Sequence, residues 1–445
     1  MFRFRGVTHK LISGCILAFA LSAPLADADA ASFKILYSFM GGSDGRNSSA
    51  SLIRDSKGNL YGTTPFGATA GCNEGRGCGT VFTLATNSIE NVLYAFLGGS
   101  DGAQPIAGLI ADKKGNLYGV SEIGGVGCGR DGCGTVFKVS PSNSKTTLYK
   151  FLGGSDGAHP STGLVMDEEG NLYGTTPVGG NTDTCGPSHD ERSGGCGIVF
   201  KIAADRTESV LHTFTGGNDG GTPSSGLIAD NAGNLYGATL TGGSASDCGI
   251  GSYGCGTLFK LATNGSETFV HVFQGGNSDG AFPVGSPIAD TAGNLYGTTV
   301  GGGSTDDCGA QKKGLHKIGC GTIFKLAPDG NETIIHVFTG GSDGAYPLGG
   351  VIADGAGNLY GTTGGGGSTK NCGIGAYGCG IVFKLAPDGT ETILHVFTGT
   401  KKDGGYPTAG LIADEKGNLY GTTYVGGAHD CAKHTGCGIV FKLKE

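Results

Sequence analysis

Fourteen of the fifteen cysteines in this 445-residue chain fall into seven short-range pairs: Cys72/Cys78, Cys128/Cys133, Cys185/Cys196, Cys248/Cys255, Cys308/Cys320, Cys372/Cys379 and Cys431/Cys437. Two thiols five to twelve residues apart can close a local disulfide or supply half of a metal centre. A structural zinc asks for four ligands, and no His recurs beside these pairs. Metal is therefore set aside and seven disulfides are expected. Each would close a small loop and stabilise by roughly 2–3 kcal/mol through entropy removed from the unfolded chain.

Two sets of aspartates recur with the same regularity. Asp44, Asp101, Asp156, Asp219, Asp279, Asp343 and Asp403 each precede a Gly. They could ring a calcium ion or a sugar, but an Asp before Gly more simply bonds its own backbone in a turn, and that reading is preferred. Asp55, Asp112, Asp167, Asp230, Asp290, Asp354 and Asp414 open D-x-x-G-N turns, which lack the further oxygen ligands of an EF-hand loop. Tyr37, Tyr94, Tyr149, His212, His271, His336 and His395 share one position. A catalytic His interchangeable with Tyr is implausible, so these read as amphipathic outer-strand residues.

A single site should lie where the repeats disagree. The residue before the loop Pro varies: Gln104, His159, Thr222, Phe282, Tyr346 and Tyr406, with Asn47 in the first loop. So does the residue after "GTT": Pro65, Glu122, Pro177, Leu240, Val300, Gly364 and Tyr424. From these positions Gln104, His159, Phe282, Tyr346, Tyr406, Glu122 and Tyr424 are the candidate ligand contacts. The longer cystine loops add His189, Asp190, Glu191, Arg192, Lys312, Lys313, His316, His429 and His434 as solvated decoration. No nucleophile elbow, phosphate loop or zinc-protease motif occurs, so no catalytic residue is assigned. No cofactor is expected either, and calcium at the turn aspartates is considered but not favoured.

The elements that must carry these residues follow from a repeat. The Asn of "GNLYG" falls at Asn59, Asn116, Asn171, Asn234, Asn294, Asn358 and Asn418, with spacings of 55 to 64 residues. Residues 349–398 hold four short apolar runs, "GVIAD", "NLYGTT", "GIVFKL" and "TILHVF", separated by turn chemistry. No 3.6-residue apolar period is long enough for a helix. Four antiparallel strands repeated at this period predict an all-β, seven-bladed β-propeller. The last unit has three strands, and "FKILYSF", Phe33 to Phe39, is expected to supply its fourth. Such a latch removes the open edge between first and last blades. In "GNLYG", Leu and Tyr face opposite ways, and the following Gly is expected to admit the neighbouring blade. The strand 2–3 loops and the inter-blade loops should share one end of the ring. Variable loops on a regular scaffold make that end the candidate face.

Residues 1–30 stand apart. Arg3, Arg5, His9 and Lys10 precede an apolar run and then the small-residue stretch "ADADAA", the layout of a secretory signal peptide. Residues 31–445 form the single remaining domain. A net charge of −8 argues against a nucleic-acid partner and against an anionic membrane surface. No other stretch is long and apolar enough to span a membrane. A monomer, secreted or periplasmic, is expected.

The unit "GLIADxxGNLYGTT…GGxxxxGTVFKL…GxxTxLHxFxGGxDGxxP" resembles the bacterial GloVer (choice-of-anchor) tandem repeat across nearly all of residues 33–443. The resemblance implies an exported bacterial protein and supplies no catalytic residues. After its last repeat this chain shows no sorting helix or basic tail, so a free form is expected rather than an anchored one. Three roles remain: a disulfide-stapled binding or scaffold module presenting loops to glycan or protein, an extracellular polysaccharide lyase or hydrolase, and a structural envelope component.

Overall fold

A computed structural model describes residues 31–445, apart from 69–70, 73–74, 130, 181–193, 244–247, 249–253, 277, 304–307, 309–317, 369–371, 373–377, 430 and 432–434. The expected signal segment and the decorated loop residues His189, Asp190, Glu191, Arg192, Lys312, Lys313, His316 and His434 lie outside the described residues. The chain forms seven four-stranded antiparallel sheets in a ring. Blade 1 runs Ile53–Arg54, Leu60–Thr64, Thr80–Leu84 and Glu90–Ala95, from the axis outward. Among the described residues, helical structure is confined to three-residue 3-10 turns such as Gly99–Asp101.

The expected latch is present. Ser32–Ser38 pairs antiparallel with Ile439–Lys444, in the register Phe33 to Leu443, Ile35 to Phe441 and Tyr37 to Val440. The first strand of the chain is thus the fourth strand of blade 7.

The phrase "DSKGNLYG" is a closed hydrogen-bonding unit. One carboxylate oxygen of Asp55 accepts from the backbone N–H of Lys57 and Asn59. The other accepts from Asn59 Nδ2 at 2.8 Å and Tyr61 Oη at 3.1 Å. Gly58 takes the left-handed conformation, φ 90°, that the turn requires. Three side chains and a turn therefore specify one another, which is why the phrase repeats intact. Leu60 points into the core at 2% exposure. In six blades the third-strand Lys, for example Lys138 over Tyr118 at 5.7 Å, covers the Tyr ring from outside.

The Gly after Tyr serves a different purpose from the one expected. A Cβ on Gly62 would lie 2.7 Å from Phe82 Cζ and 2.8 Å from Leu52 Cδ2. Gly62 and Phe82 are cross-strand partners within blade 1. The missing side chain makes room for an aromatic ring of its own blade, not for the neighbouring blade.

Blades are joined by edge-to-face Phe pairs. The Phe that follows each fourth strand meets the third-strand Phe of the next blade: Phe39 on Phe82 at 5.2 Å, Phe96 on Phe137 at 5.1 Å, and so on round to Phe397 on Phe441 at 5.4 Å. Phe39, Phe82, Phe96 and Phe137 have no exposed surface. Such pairs add about 0.5–1.5 kcal/mol beyond burial of their area. Phe39→Ala should therefore cost about 3–5 kcal/mol in denaturant unfolding. Leu97→Ala, at a site 66% exposed, should change stability by less than about 0.5 kcal/mol. Similar losses for the two would show that the blade seams are not what holds the ring.

Candidate functional site

The cystine loops and inter-blade turns emerge at the same end, as expected. Six disulfides join Cys72–Cys78, Cys128–Cys133, Cys248–Cys255, Cys308–Cys320, Cys372–Cys379 and Cys431–Cys437. Cys196 is also disulfide-bonded, and its expected partner Cys185 lies outside the described residues. Four of the sulfur pairs rest on a glycine of the next inter-blade turn, Gly41, Gly98, Gly153 or Gly275. A Cβ on Gly41 would stand 2.0 Å from Cys431 Sγ, and one on Gly98 2.4 Å from Cys72 Sγ.

The turn aspartates do bond their own backbone. Asp44 accepts from Met40 N–H at 2.7 Å, Asp101 from Leu97 N–H at 3.0 Å and Asp343 from Thr339 N–H at 2.6 Å. Each also faces the fourth-strand Tyr or His that sequence reading treated separately. Tyr37 and Tyr94 donate to Asp44 and Asp101 at 2.9 Å. The opening residue of the next blade's fourth strand completes the group. It is Glu90, Glu208, Glu267, Glu332 or Glu391 at five seams, and one Glu oxygen at each is buried without a hydrogen-bond partner. At the sixth it is Lys145, whose Nζ lies 2.9 Å from Asp101. At the seam of blades 6 and 7 its place is taken by Phe33, stacked on His395 at 3.9 Å. Sequence reading missed this group because its members lie on two blades.

The residues before the loop prolines share an unusual backbone. Asn47, Gln104, His159, Thr222, Phe282, Tyr346 and Tyr406 all have φ between 53° and 58°. A non-glycine residue held there costs about 1–3 kcal/mol. Each donates its N–H to the carbonyl of the second loop cysteine in the preceding blade, for example Gln104 to Cys78 at 2.9 Å and Tyr406 to Cys379 at 2.8 Å. The two variable positions are neighbours across this turn. Glu122 N–H donates to Gln104 O, and Tyr424 N–H donates to Tyr406 O. His159 Nδ1 lies 3.1 Å from Glu122 O, and Tyr346 Oη donates to Cys308 O. The Tyr406 and Tyr424 rings meet edge to face at 6.4 Å. Phe282 is different: at 5% exposure it packs into the core with Ala281 and Cys255.

Departures from the repeat gather at the seam of blades 7 and 1. Arg46 stands where the other repeats have Ala103, Ala158, Gly221, Ala281, Ala345 and Gly405. Phe66 is the one aromatic at its position, opposite Ile123, Val178, Thr241, Gly301, Gly365 and Val425. Arg46 donates to Arg76 O at 2.9 Å and Cys431 O at 3.3 Å, while its Nε is buried without a partner. The guanidinium carbons of Arg46 and Arg76 both lie 5.9 Å from the Phe66 ring centre. Asn47 Nδ2 donates to Tyr424 O at 2.7 Å. Burial, then the Arg76 charge, holds Arg46 below its usual range. Burial pushes Tyr424 up, while Arg76 and Arg46 pull it down. Beside this cluster a cavity of about 760 Å³ is lined by Phe66, Arg76, Gln104 and Asp131, among others. Arg46, Phe66 and Arg76 were absent from the sequence candidates, although aligning the repeats exposes the first two.

The axis is plain by comparison. Its cavity of about 320 Å³ is lined by small or apolar residues such as Ser51, Ala107, Thr162, Ser224, Gly350 and Ala409, with no titratable side chain among the lining residues.

The seam carboxyls set a pH dependence. Burial first, and then Asp44 or Asp156, pushes Glu90 and Glu208 from 4.5 up to about 7. A carboxyl whose pKa rises on folding favours the fold fully below its unfolded value and loses that contribution as pH climbs through its folded value. The loss therefore falls between pH 4.5 and about 7. The double variant Glu90→Gln/Glu208→Gln should melt close to the parent near pH 5 and above it near pH 8. A melting-temperature difference that does not change with pH would contradict this.

Comparison with the curated proteins finds none that matches. Among solved structures, the chain is similar to a gluconolactonase, XC5397 from Xanthomonas campestris, at 13% identity and TM-score 0.40, covering 93% of this chain and 89% of that one. It is similar to a luciferin-regenerating enzyme at 15% identity and TM-score 0.39, covering 76% and 90%. A fungal alcohol oxidase of the AA5 family, in complex with copper, matches at 13% identity and TM-score 0.49, covering 88% and 73%. None of their chemistry is carried to this chain. The sequence profile of the Gloeobacter/Verrucomicrobia repeat matches residues 25–250 and 308–445, most of the chain. With its repeats, ring and cystine loops, the protein belongs to the Gloeobacter/Verrucomicrobia repeat family.

Proposed function

We propose that this protein is an exported binding module whose cystine-loop face takes an anionic saccharide at the seam of blades 7 and 1. The observation that carries the reading is the convergence there of residues the other repeats lack: Arg46, Phe66 and Tyr424, with Arg76 beside them. Guanidinium groups recognise carboxylate and sulfate oxygens by charge-assisted hydrogen bonds. Aromatic rings beside them offer an apolar surface to the face of a sugar. Arg46 is held by two carbonyls, so its charge is positioned before a ligand arrives.

Export is supported by the disulfides, which persist in oxidising compartments. Among the described residues no helix is long and apolar enough to cross a membrane. The lyase or hydrolase reading needs proton-transferring groups at a reacting centre. The axial lining offers serine and threonine hydroxyls instead, so binding is preferred.

A polyuronate and a neutral glucan of matched length, titrated calorimetrically, test the reading. The polyuronate should bind and weaken as salt rises, and the glucan should not. Arg76→Ala, at an exposed position, and Phe66→Ala should each weaken binding about tenfold or more while leaving the fold intact. Background heat with acidic glycans on an array and in titration would remove the proposal.

A further inference from the structure

We propose that two seams, His271/Asp279/Glu332 between blades 4 and 5 and His336/Asp343/Glu391 between blades 5 and 6, are sites for a first-row divalent metal ion that clasps neighbouring blades.

Geometry is the first argument. One ligand atom from each residue of a triad lies within 4.8 Å of the other two. His271 Nε2 stands 3.5 Å from an Asp279 oxygen and 3.7 Å from a Glu332 oxygen. His336 Nε2 stands 3.3 Å from an Asp343 oxygen and 3.9 Å from a Glu391 oxygen. These are poor separations for hydrogen bonds. Ligand atoms each about 2.1 Å from a tetrahedral ion lie about 3.4 Å apart, and the four separations, 3.3 to 3.9 Å, need only small side-chain adjustments to reach it. Both imidazole Nε2 atoms, and Oε1 of both glutamates, are buried without a hydrogen-bond partner. Buried polar atoms without partners are rare enough to need an explanation.

The second argument is independent, and the ring supplies it internally. At the seam of blades 1 and 2 the Glu is replaced by Lys145, whose side chain is 2% exposed. Its ammonium lies between an Asp101 carboxylate oxygen and Thr147 Oγ1, both at 2.9 Å, and the Asp101 carbonyl. A cation supplied by the chain thus sits against the equivalent turn aspartate. Where the chain supplies a glutamate beside a His instead, a bound cation would take the place of that ammonium. At the seam of blades 6 and 7 Phe33 replaces the glutamate, and His395 Nε2 lies 3.1 Å from Asp403. With no third ligand, that His and Asp close directly on each other.

One imidazole and two carboxylates suit zinc or manganese, and the remaining position would hold water. The His side chains are 17% and 14% exposed, so an edge of each ring reaches solvent while its Nε2 stays buried. The ligands escaped sequence reading because the His and Asp of each triad end one blade and its Glu belongs to the next.

The test uses the purified chain, stripped with chelator, dialysed against zinc and assayed for bound metal. Glu332→Gln and Glu391→Gln should each remove one equivalent that the parent retains, and the double variant should remove two. Zinc should raise the melting temperature of the parent by several degrees above its own value in chelator and leave the double variant at its own chelator value. A parent that retains no zinc, or a double variant that retains as much as the parent, would overturn the proposal.

Discussion

A four-stranded sheet with two apolar faces can bury them only against other sheets. Each blade of this ring therefore depends on both neighbours, and no blade has a spare face. The seven Phe pairs show how this need is met, since every seam uses one ring from an outer strand and one from the next blade. The pairing of Ser32–Ser38 with Ile439–Lys444 satisfies the last face and removes the last open edge. Disulfides, turn units and seam carboxyls all act inside a frame already closed by that pairing.

Within the frame, repetition lets one position change while the others hold the fold. The opening residue of the fourth strand is Glu, Lys or Phe, and its partner is Tyr or His. These exchanges alter charge and hydrogen bonding at a seam without disturbing the Phe pair beneath it. The blade 7 to blade 1 seam has gone furthest on the cystine face, where Arg46 and Phe66 replace smaller residues. A symmetric scaffold thereby carries an asymmetric surface.

Much of this was legible in the sequence. The spacing of "GNLYG" set the blade count, the four apolar runs set the strands, and the missing run at one end located its partner at the other. The cysteine pairs were equally plain, because partners that close a short loop are close in sequence. Three features were not legible. The role of Gly62 depends on a ring across the strand pair, which spacing does not report. The left-handed backbone at Tyr406 and its equivalents defies the usual preference for glycine there. The His, Asp and Glu of each seam meet only once the ring has curved, so no local motif announces them.

The closing pair has one more consequence. Ser32 and Lys444 are opposite each other in register, at the same end of the final hairpin-like ladder. Tension applied between the two chain ends would part the ladder one rung at a time, as a zip opens, instead of loading all its rungs together. The ring is thus mechanically weakest along the line that completes it, and a pull on both ends would release the outer strand of blade 7 while the other six sheets stay whole.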